Sequence, residues 1–332
     1  MAISTNSGKT NSFFGLSAEP IYALIEKDVE AFEKNSLIKE IFQMNTSKNF
    51  AEKVTSATAA GGFKPVSEGG AYPEDDIEEG YSKTFYHQVF KDSLTITREM
   101  ADDGKILGNK TLTKKLTQAY GRLREEFGAA ILAGGVTTSI NYKGKEFNTK
   151  SADGKALFAT DHPSITGETG VQSNVFSNVF SEDVLGKVES AMQNFRDDKG
   201  NVLAIAPTHI IIPNSHTLKK AVFAAIGADK ESTSANNAFN YQYGRWSVLV
   251  WPYLNKFLTN DLVNKFFALF DKSYNENVGT LQWFDRIKLE VKDYIDENTD
   301  NWVFKAYSRF SAGANDWRGI AAGGVTGGTT LT

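Results

Sequence analysis

Residues 61–93 read GGFKPVSEGGAYPEDDIEEGYSKTFYHQVFKDS. Gly61, Gly62, Pro65, Gly69 and Gly70 make the ascending half poor material for a central strand. The tip gathers Glu74, Asp75, Asp76, Glu78 and Glu79, and Gly80 closes the turn. From Tyr81 to Phe90 the chain changes to Tyr, Phe, Thr and Val, the composition of a strand. An arm of ~12 residues at ~3.3 Å each extends about 40 Å, whereas a compact body of this length has a radius of gyration of ~20 Å. An extended limb of that reach overshoots its own body and needs a neighbour to lie on. The expectation is an assembling protein whose limb meets a sister copy through Lys64, Glu74, Asp75, Asp76, Glu78, Glu79, Tyr81 and Phe85.

Composition bounds the fold and part of the chemistry. A chain of 332 residues exceeds one typical domain and implies two lobes, or one large α/β body with excursions. Its 41% apolar content suffices for a core. A net charge of −4 argues against a broadly basic, nucleic-acid-binding surface. With no cysteine, disulfides, thiolate catalysis and cysteine-ligated zinc are excluded. Residues 1–20 lack the basic region and apolar core of a secretory signal, and no run approaches the ~18 apolar residues of a membrane span. The expectation is a soluble protein made in the cytoplasm, with no membrane partner.

Around the limb, periodicity defines the other parts. Residues 1–16, rich in Ser, Asn and Gly, read as a mobile arm. Ser17 is positioned to cap a helix in which Ile21, Leu24, Ile25, Val29 and Phe32 form one stripe. Residues 109–133 form the longest helix, with Leu112, Leu116, Ala119, Tyr120, Leu123, Phe127, Ala130 and Ile131 on one face and Lys110, Lys114, Lys115, Arg122 and Glu126 opposite. Gly134 and Gly135 end it. After a polar region, 136–180, helices at 182–195 and 216–226 alternate with apolar strands at 209–212, 246–251 and 266–270. A late hairpin follows: Ile287 to Val291 alternates, 296–301 turns, and 302–310 returns. The glycine-rich end reads as a flexible tail.

Sharper chemistry finds little support. Asp161-His162 with Ser164 suggests a proton relay, but no G-x-S-x-G elbow exists, and a polar turn before Pro163 is the simpler reading. His209 and His216, seven apart, lack a second closely spaced pair for a metal. His87 reads as an exposed strand residue. The acidic run at 74–79 lacks the alternating pattern of a calcium loop. Lys110, Lys114, Lys115, Arg122 and Arg124, with Glu125 and Glu126 nearby, read as a solvated helix face before a DNA contact. Trp246, Trp251, Trp283, Trp302 and Trp317 read as core and interface anchors. No catalytic residue, metal or cofactor is expected.

The order of parts (arm, extended loop, long helix, inserted lobe, late hairpin) resembles the major capsid proteins of tailed phages, of the Hong Kong 97 type. Within them it resembles the Mu-like major head subunit family. The motifs that carry the likeness are Leu94 to Glu99 followed by Asp102-Asp103, Leu157 to Pro163, Pro207 to Pro213, Ala235-Asn236-Asn237, Trp246 with Pro252-Tyr253-Leu254, and Asp316 to Gly319. They span roughly residues 17–322. The resemblance implies an α+β fold with residues 1–48 as N-terminal arm and helix and 49–100 as the extended loop. Residues 101–174 plus 285–322 would form a peripheral domain with a spine helix, 175–284 an inserted axial α/β domain, and 323–332 a flexible tail. It implies self-assembly into hexamers and pentamers of an icosahedral shell around double-stranded DNA held without sequence specificity, with scaffolding and portal proteins as partners. In the 227–244 loop, Asp229, Lys230, Glu231, Asn236 and Asn237 would face the symmetry axes. The chain shows no long charged helical extension of the kind a fused scaffold would give, so the expectation is a separate scaffolding protein or a processed form. An encapsulin-like compartment for protein cargo shares the fold, and a hydrolase using Asp161 or His162 is the distant alternative.

Overall fold

The computed structural model describes residues 15–58, 63–74, 76–102, 109–167, 169–227 and 239–331. Helices α1 (Gly15–Asn35) and α2 (Ile38–Ile41) lead into strands β1 (Gln43–Thr46) and β2 (Ala51–Ala57); after the limb come β3 (Glu79–Tyr86), β4 (Gln88–Ile96) and α3 (Arg98–Asp102). The long helix is α4 (Asn109–Ala133), followed by the short ribbons β5 (Ser139–Tyr142) with β6 (Lys145–Asn148) and β7 (His162–Pro163) with β8 (Val171–Gln172). The second lobe runs α5 (Glu182–Gln193), β9 (His209–Ile212), α6 (His216–Ile226), β10 (Ser247–Val250), α7 (Asn260–Val263), β11 (Phe267–Phe270) and α8 (Lys272–Val278). The chain returns through β12 (Leu281–Ile295) and β13 (Trp302–Ala314) and ends near β14 (Ile320–Gly323). The class is α+β, as expected from the sequence.

Two four-stranded sheets organise the body. One has the order β1-β12-β13-β4, with β1 parallel to β12 and the other pairs antiparallel. The other has the order β10-β9-β11-β14, with only β10 and β9 parallel. Helices α5 and α6 start where serines cap them: Ser181 accepts from Val184 N and Ser215 from Leu218 N. α1 is already helical at Gly15, so Ser17 lies inside it rather than ahead of it.

The main core forms where α4 crosses the hairpin β12–β13. Trp283 stacks on Phe310 at 4.9 Å between centroids, and Phe127 meets both edge-on at 5.9 and 5.5 Å. Trp251 and Trp302 are also buried, as is Trp317, which bears out the reading of these three tryptophans as anchors. Burying a large apolar side chain contributes about 1.5–3 kcal/mol, so this aromatic cluster fixes α4 against the sheet. Alternation in β12 holds only beyond Lys288, because Leu281 to Asp285 is buried on both faces.

Several expectations are corrected. The arms of the limb are β2 and β3, not 61–70 and 81–90. The stretch from Gln88 to Ile96 leaves the limb and pairs along β13 from Phe310 to Trp302. His87 marks the crossing and is buried rather than exposed: its ring nitrogens lie 3.0 Å from Ser311 Oγ and 2.9 Å from Ser47 Oγ. The end of the chain is docked, not free. β14 pairs with β11, so this part of 285–322 joins the sheet of the second lobe. Beyond it Thr329 exchanges backbone hydrogen bonds with Val175 and Ser177, and Asn178 binds Leu331 through both N–H and C=O groups. Gly134 and Gly135 do not break α4 by a left-handed cap; the helix tightens into one 3₁₀ turn. A Cβ on Gly134 would fall 2.7 Å from Thr149 Cγ2, so close packing explains the glycine there.

Candidate functional site

The limb is rooted on its own body and exposed along its tip. The β2–β3 ribbon runs from Ala51 opposite Tyr86 to Ala57 opposite Glu79, and Thr58 N closes it on Glu78 O at 2.9 Å. Every described residue from 63 to 79 is exposed. Phe63, Val66, Tyr72 and Ile77 are among the most exposed large apolar side chains of the chain, Tyr72 at 97%. Gly69 adopts φ +77° in the turn closed by Gly70 N on Ser67 O, a conformation that favours glycine.

At the root the limb is held tightly. Lys83 Nζ donates to Ala314 O at 2.9 Å and to Lys150 O. Burial lowers its pKa to about 8, with Asp153 opposing. Phe85 packs on Phe284, ring centroids 5.2 Å apart. Lys199 Nζ reaches back to Asp76 O at 2.6 Å. Of the residues expected to meet a sister copy, Lys64, Glu74, Asp76, Glu78 and Glu79 are exposed. Tyr81 is half-buried, its hydroxyl pKa raised by burial and then by the charges of Asp153 and Asp198. Phe85 is corrected: at 3% exposure it belongs to its own core, because as an alternate residue of β3 it points at the body. Asp75, Asp229, Lys230, Glu231, Asn236 and Asn237 lie outside the described residues, as do Gly61 and Gly62.

Behind the root lies a polar hub that joins two of the sequence motifs. Asn174, fully buried, donates from Nδ2 to the carbonyls of Leu157 (2.8 Å), Trp317 (3.2 Å) and Ile320 (3.0 Å). Its Oδ1 accepts from Ala159 N at 3.1 Å and lies 3.2 Å from His162 Nε2. His162 Nδ1 lies 2.6 Å from Asp153 Oδ2, and the imidazole stacks on Trp317 at 4.4 Å. Burial pushes the Asp153 carboxyl up, but His162, Ser151 Oγ and Lys155 N together hold it below its ordinary value. Asp316 accepts from Tyr274 Oη at 2.9 Å and from Arg318, which also reaches Asp198 at 3.1 Å. The stretches 157–163 and 316–319 are thus one structural knot. His162 is not part of a polar surface turn, and its nearest acid is Asp153, not Asp161. Asp161 pairs outward with Lys155, and Ser164 donates to Asp198 O at 3.1 Å, so the suspected relay is not assembled.

A second buried network locks α4 to β12. Arg124 makes a two-pronged contact with Asp285, at 2.8 and 3.1 Å, and donates to Tyr120 Oη at 3.0 Å. Its guanidinium lies 4.8 Å from the Trp283 ring centre. Burial opposes its charge, yet Tyr120 and Asp285 together raise its pKa above the ordinary value. Glu125 accepts from Ser36 Oγ, Leu37 N and Trp251 Nε1 at 2.6, 3.1 and 2.7 Å. Neither Arg124 nor Glu125 lies on a solvated face, which corrects the sequence reading. The signal was present: Arg124 sits four residues after Tyr120 and three before Phe127, on the apolar stripe.

Among the described residues no group of three or more His, Asp or Glu could hold a metal ion. Among them also, no helix is long and apolar enough to cross a membrane.

A family model described as phage capsid protein matches residues 82–323, well over half of the 332-residue chain. The capsid of an empty GTA particle aligns at 14% identity over 89% of this chain and 90% of that one, with a TM-score of 0.51. The capsid of Ralstonia phage GP4 aligns at 11% identity over 87% and 90%, with a TM-score of 0.50. At such identities these likenesses speak for the fold, which is that of phage capsid shells. No curated protein matches the chain. The chain belongs to the phage capsid protein family.

Proposed function

We propose that this phage capsid protein is the major head subunit of a tailed phage or prophage, and that it self-assembles into hexamers and pentamers of an icosahedral shell around double-stranded DNA. The observation that carries the reading is the limb. Residues 63–79 leave Phe63, Val66, Tyr72 and Ile77 in solvent on a firmly anchored ribbon. Four large apolar side chains displayed within one exposed limb point to an interaction surface. The exposed acids Glu74, Asp76, Glu78 and Glu79, with Lys64, orient it on a neighbour more than they add affinity. The motif set favours the Mu-like branch of the family.

In this reading the β1-β12-β13-β4 sheet with α4 forms the peripheral body. The β10-β9-β11-β14 sheet with α5 and α6 forms the axial lobe, whose 227–244 loop, with Asp229, Lys230, Glu231, Asn236 and Asn237, turns to the symmetry axes. Scaffolding and portal proteins complete the particle, which assembles in the host cytoplasm, and packaged DNA is held without sequence preference. The subunit carries no catalytic site and no cofactor. Negative-stain microscopy of the expressed protein tests this: closed shells or tubes are expected, and a strict monomer at all concentrations, with or without scaffold, refutes it.

A further inference from the structure

A cleft of about 200 Å³ lies between the root of the limb and the polar hub. Ser56 and Ala57 of β2, both exposed, mark its mouth, and Tyr81 of β3 lines it from the same side. Asp153, Asp197, Asp198 and Asp316 also line it, and Arg318 is the single cation among the described lining residues. That guanidinium is already engaged by Asp198 and Asp316, so the lining keeps an excess of negative charge. Tyr81 registers it: its hydroxyl pKa is raised by burial and then by Asp153 and Asp198, with Arg318 opposing. A neutral acceptor completes the set. Asn315 lines the cleft at 5% exposure, and its Oδ1 has no hydrogen-bond partner among the described residues. Beside it Thr280, whose carbonyl accepts from Asn315 N at 2.8 Å, is fully buried with its Oγ1 unpartnered as well. A Cβ on Gly319 would run into both Thr280 Oγ1 and the ring of Tyr274, so this oxygen adjoins a ring that lines the cleft.

Buried acceptors without a donor are costly to leave unmade, and a negative lining favours a cation, so the fitting guest is a cationic donor. Leu203, Val278 and Trp317 give the cleft apolar walls, which suit an alkyl stem better than a hydrated metal ion. Among the described residues no three acids or histidines are grouped to hold a metal. An ammonium donates three hydrogen bonds and accepts none. At ~30 Å³ for each water-sized group, the cleft holds roughly six or seven of them, the size of a four-carbon chain with an amine at each end. We propose that the cleft between the limb root and the polar hub binds a short aliphatic diamine, one ammonium on Asn315, the chain along Leu203 and Val278, and the second ammonium among the aspartates. Bound there, the diamine ties Ala57 and Tyr81 of the limb to Asp198 and Asp316 of the hub and stiffens the root. Every contributing residue belongs to one chain, so the site is complete before assembly.

Isothermal titration calorimetry of the unassembled full chain with butane-1,4-diamine reads the site. One diamine per chain is expected. Asn315→Leu, which removes the orphan acceptor, and Ala57→Trp, which plugs the mouth, are each expected to weaken binding at least tenfold. Ala57 is exposed, so the plugged protein keeps its fold; circular dichroism checks both variants. Butane-1,4-diol, of the same length and uncharged, is expected not to bind. Nα-acetyl-lysine amide carries the ammonium as a protein side chain would, and is expected to bind at least tenfold more weakly than the diamine. No binding of the diamine at millimolar concentration overturns the proposal, as does equal binding of the diol. Undiminished binding by Ala57→Trp would mean a diffuse acidic surface, tighter binding of calcium a metal site, and tighter binding of the lysine amide a seat for a partner's side chain; each of these also overturns it.

Discussion

Replacing Asp285 with Asn should cost more than any surface change, because it strands the Arg124 guanidinium. Both side chains are nearly solvent-free, at 4% and 3% exposure. Asparagine keeps the shape and one acceptor for Trp283 Nε1, now 2.8 Å from Asp285 Oδ1, but removes the carboxylate charge that pairs with Arg124. Breaking one side of a buried pair costs about 3–5 kcal/mol. The companion variant Arg124→Met/Asp285→Asn removes the stranded charge and leaves a flexible apolar chain among Tyr120, Trp283 and Phe310, whose rings now surround the guanidinium. Apolar replacement of a buried pair is often close to neutral, so the double variant should recover about 2 kcal/mol or more over Asp285→Asn alone. Urea unfolding of the unassembled chain, followed by tryptophan fluorescence, reads both. At about 2 °C per kcal/mol for a chain of this size, the single variant should also melt ~6–10 °C lower. The reasoning is refuted if Asp285→Asn loses less than about 1 kcal/mol, or if the double variant is no more stable than the single.

Three further outcomes follow from the buried polar groups. Asp153 has a depressed pKa in the fold, so its contribution is complete above the unfolded value of about 4 and fades as pH falls through the folded one; the stability gap between the native chain and Asp153→Asn, measured by urea titration, should close below pH 4. Lys83 has a folded pKa of about 8, so the folded state binds fewer protons than the unfolded one at higher pH; the native chain should gain about 2 kcal/mol relative to Lys83→Met between pH 7.5 and 9.5. Asn174→Ala takes one hydrogen-bond partner from each of three carbonyls and from Ala159 N, and should cost about 3 kcal/mol or more in urea unfolding; an effect below about 1 kcal/mol would mean the hub does not tie residues 157–163 to 316–320.

Elements whose stability is local were readable from the chain. α4, α6 and β9 have the bounds that apolar periodicity suggests, because helix stripes and short buried runs are written in neighbouring residues. The late hairpin was found from its distal, half-solvated part, while Leu281 to Asp285, buried on both faces, carries no alternation to read. What was missed depends on distant partners. His87 is buried because Ser47 and Ser311 meet it from 40 and 224 residues away. Arg124 and Glu125 look like ordinary polar helix residues until Asp285 and Trp251 arrive beside them. The glycine-rich end looks free in sequence, yet Val175 to Asn178 supply it with an edge to bind. The limb was visible as a unit, but its arms were displaced: the strand composition of 81–90 continues through His87, where one ribbon ends and the body sheet begins.

The limb itself offers the most direct test. Replacing residues 63–77 with a short Gly-Ser linker removes side chains that are exposed wherever they are described, together with the hydrogen bond from Lys199 Nζ to Asp76 O, so unfolding of the isolated chain should change by no more than ~1 kcal/mol. Microscopy and sedimentation of the same preparation should then show shells for the native chain and none for the truncated one. Closed shells of native size from the truncated chain would contradict the account, because the exposed limb would then have no part in joining one subunit to the next.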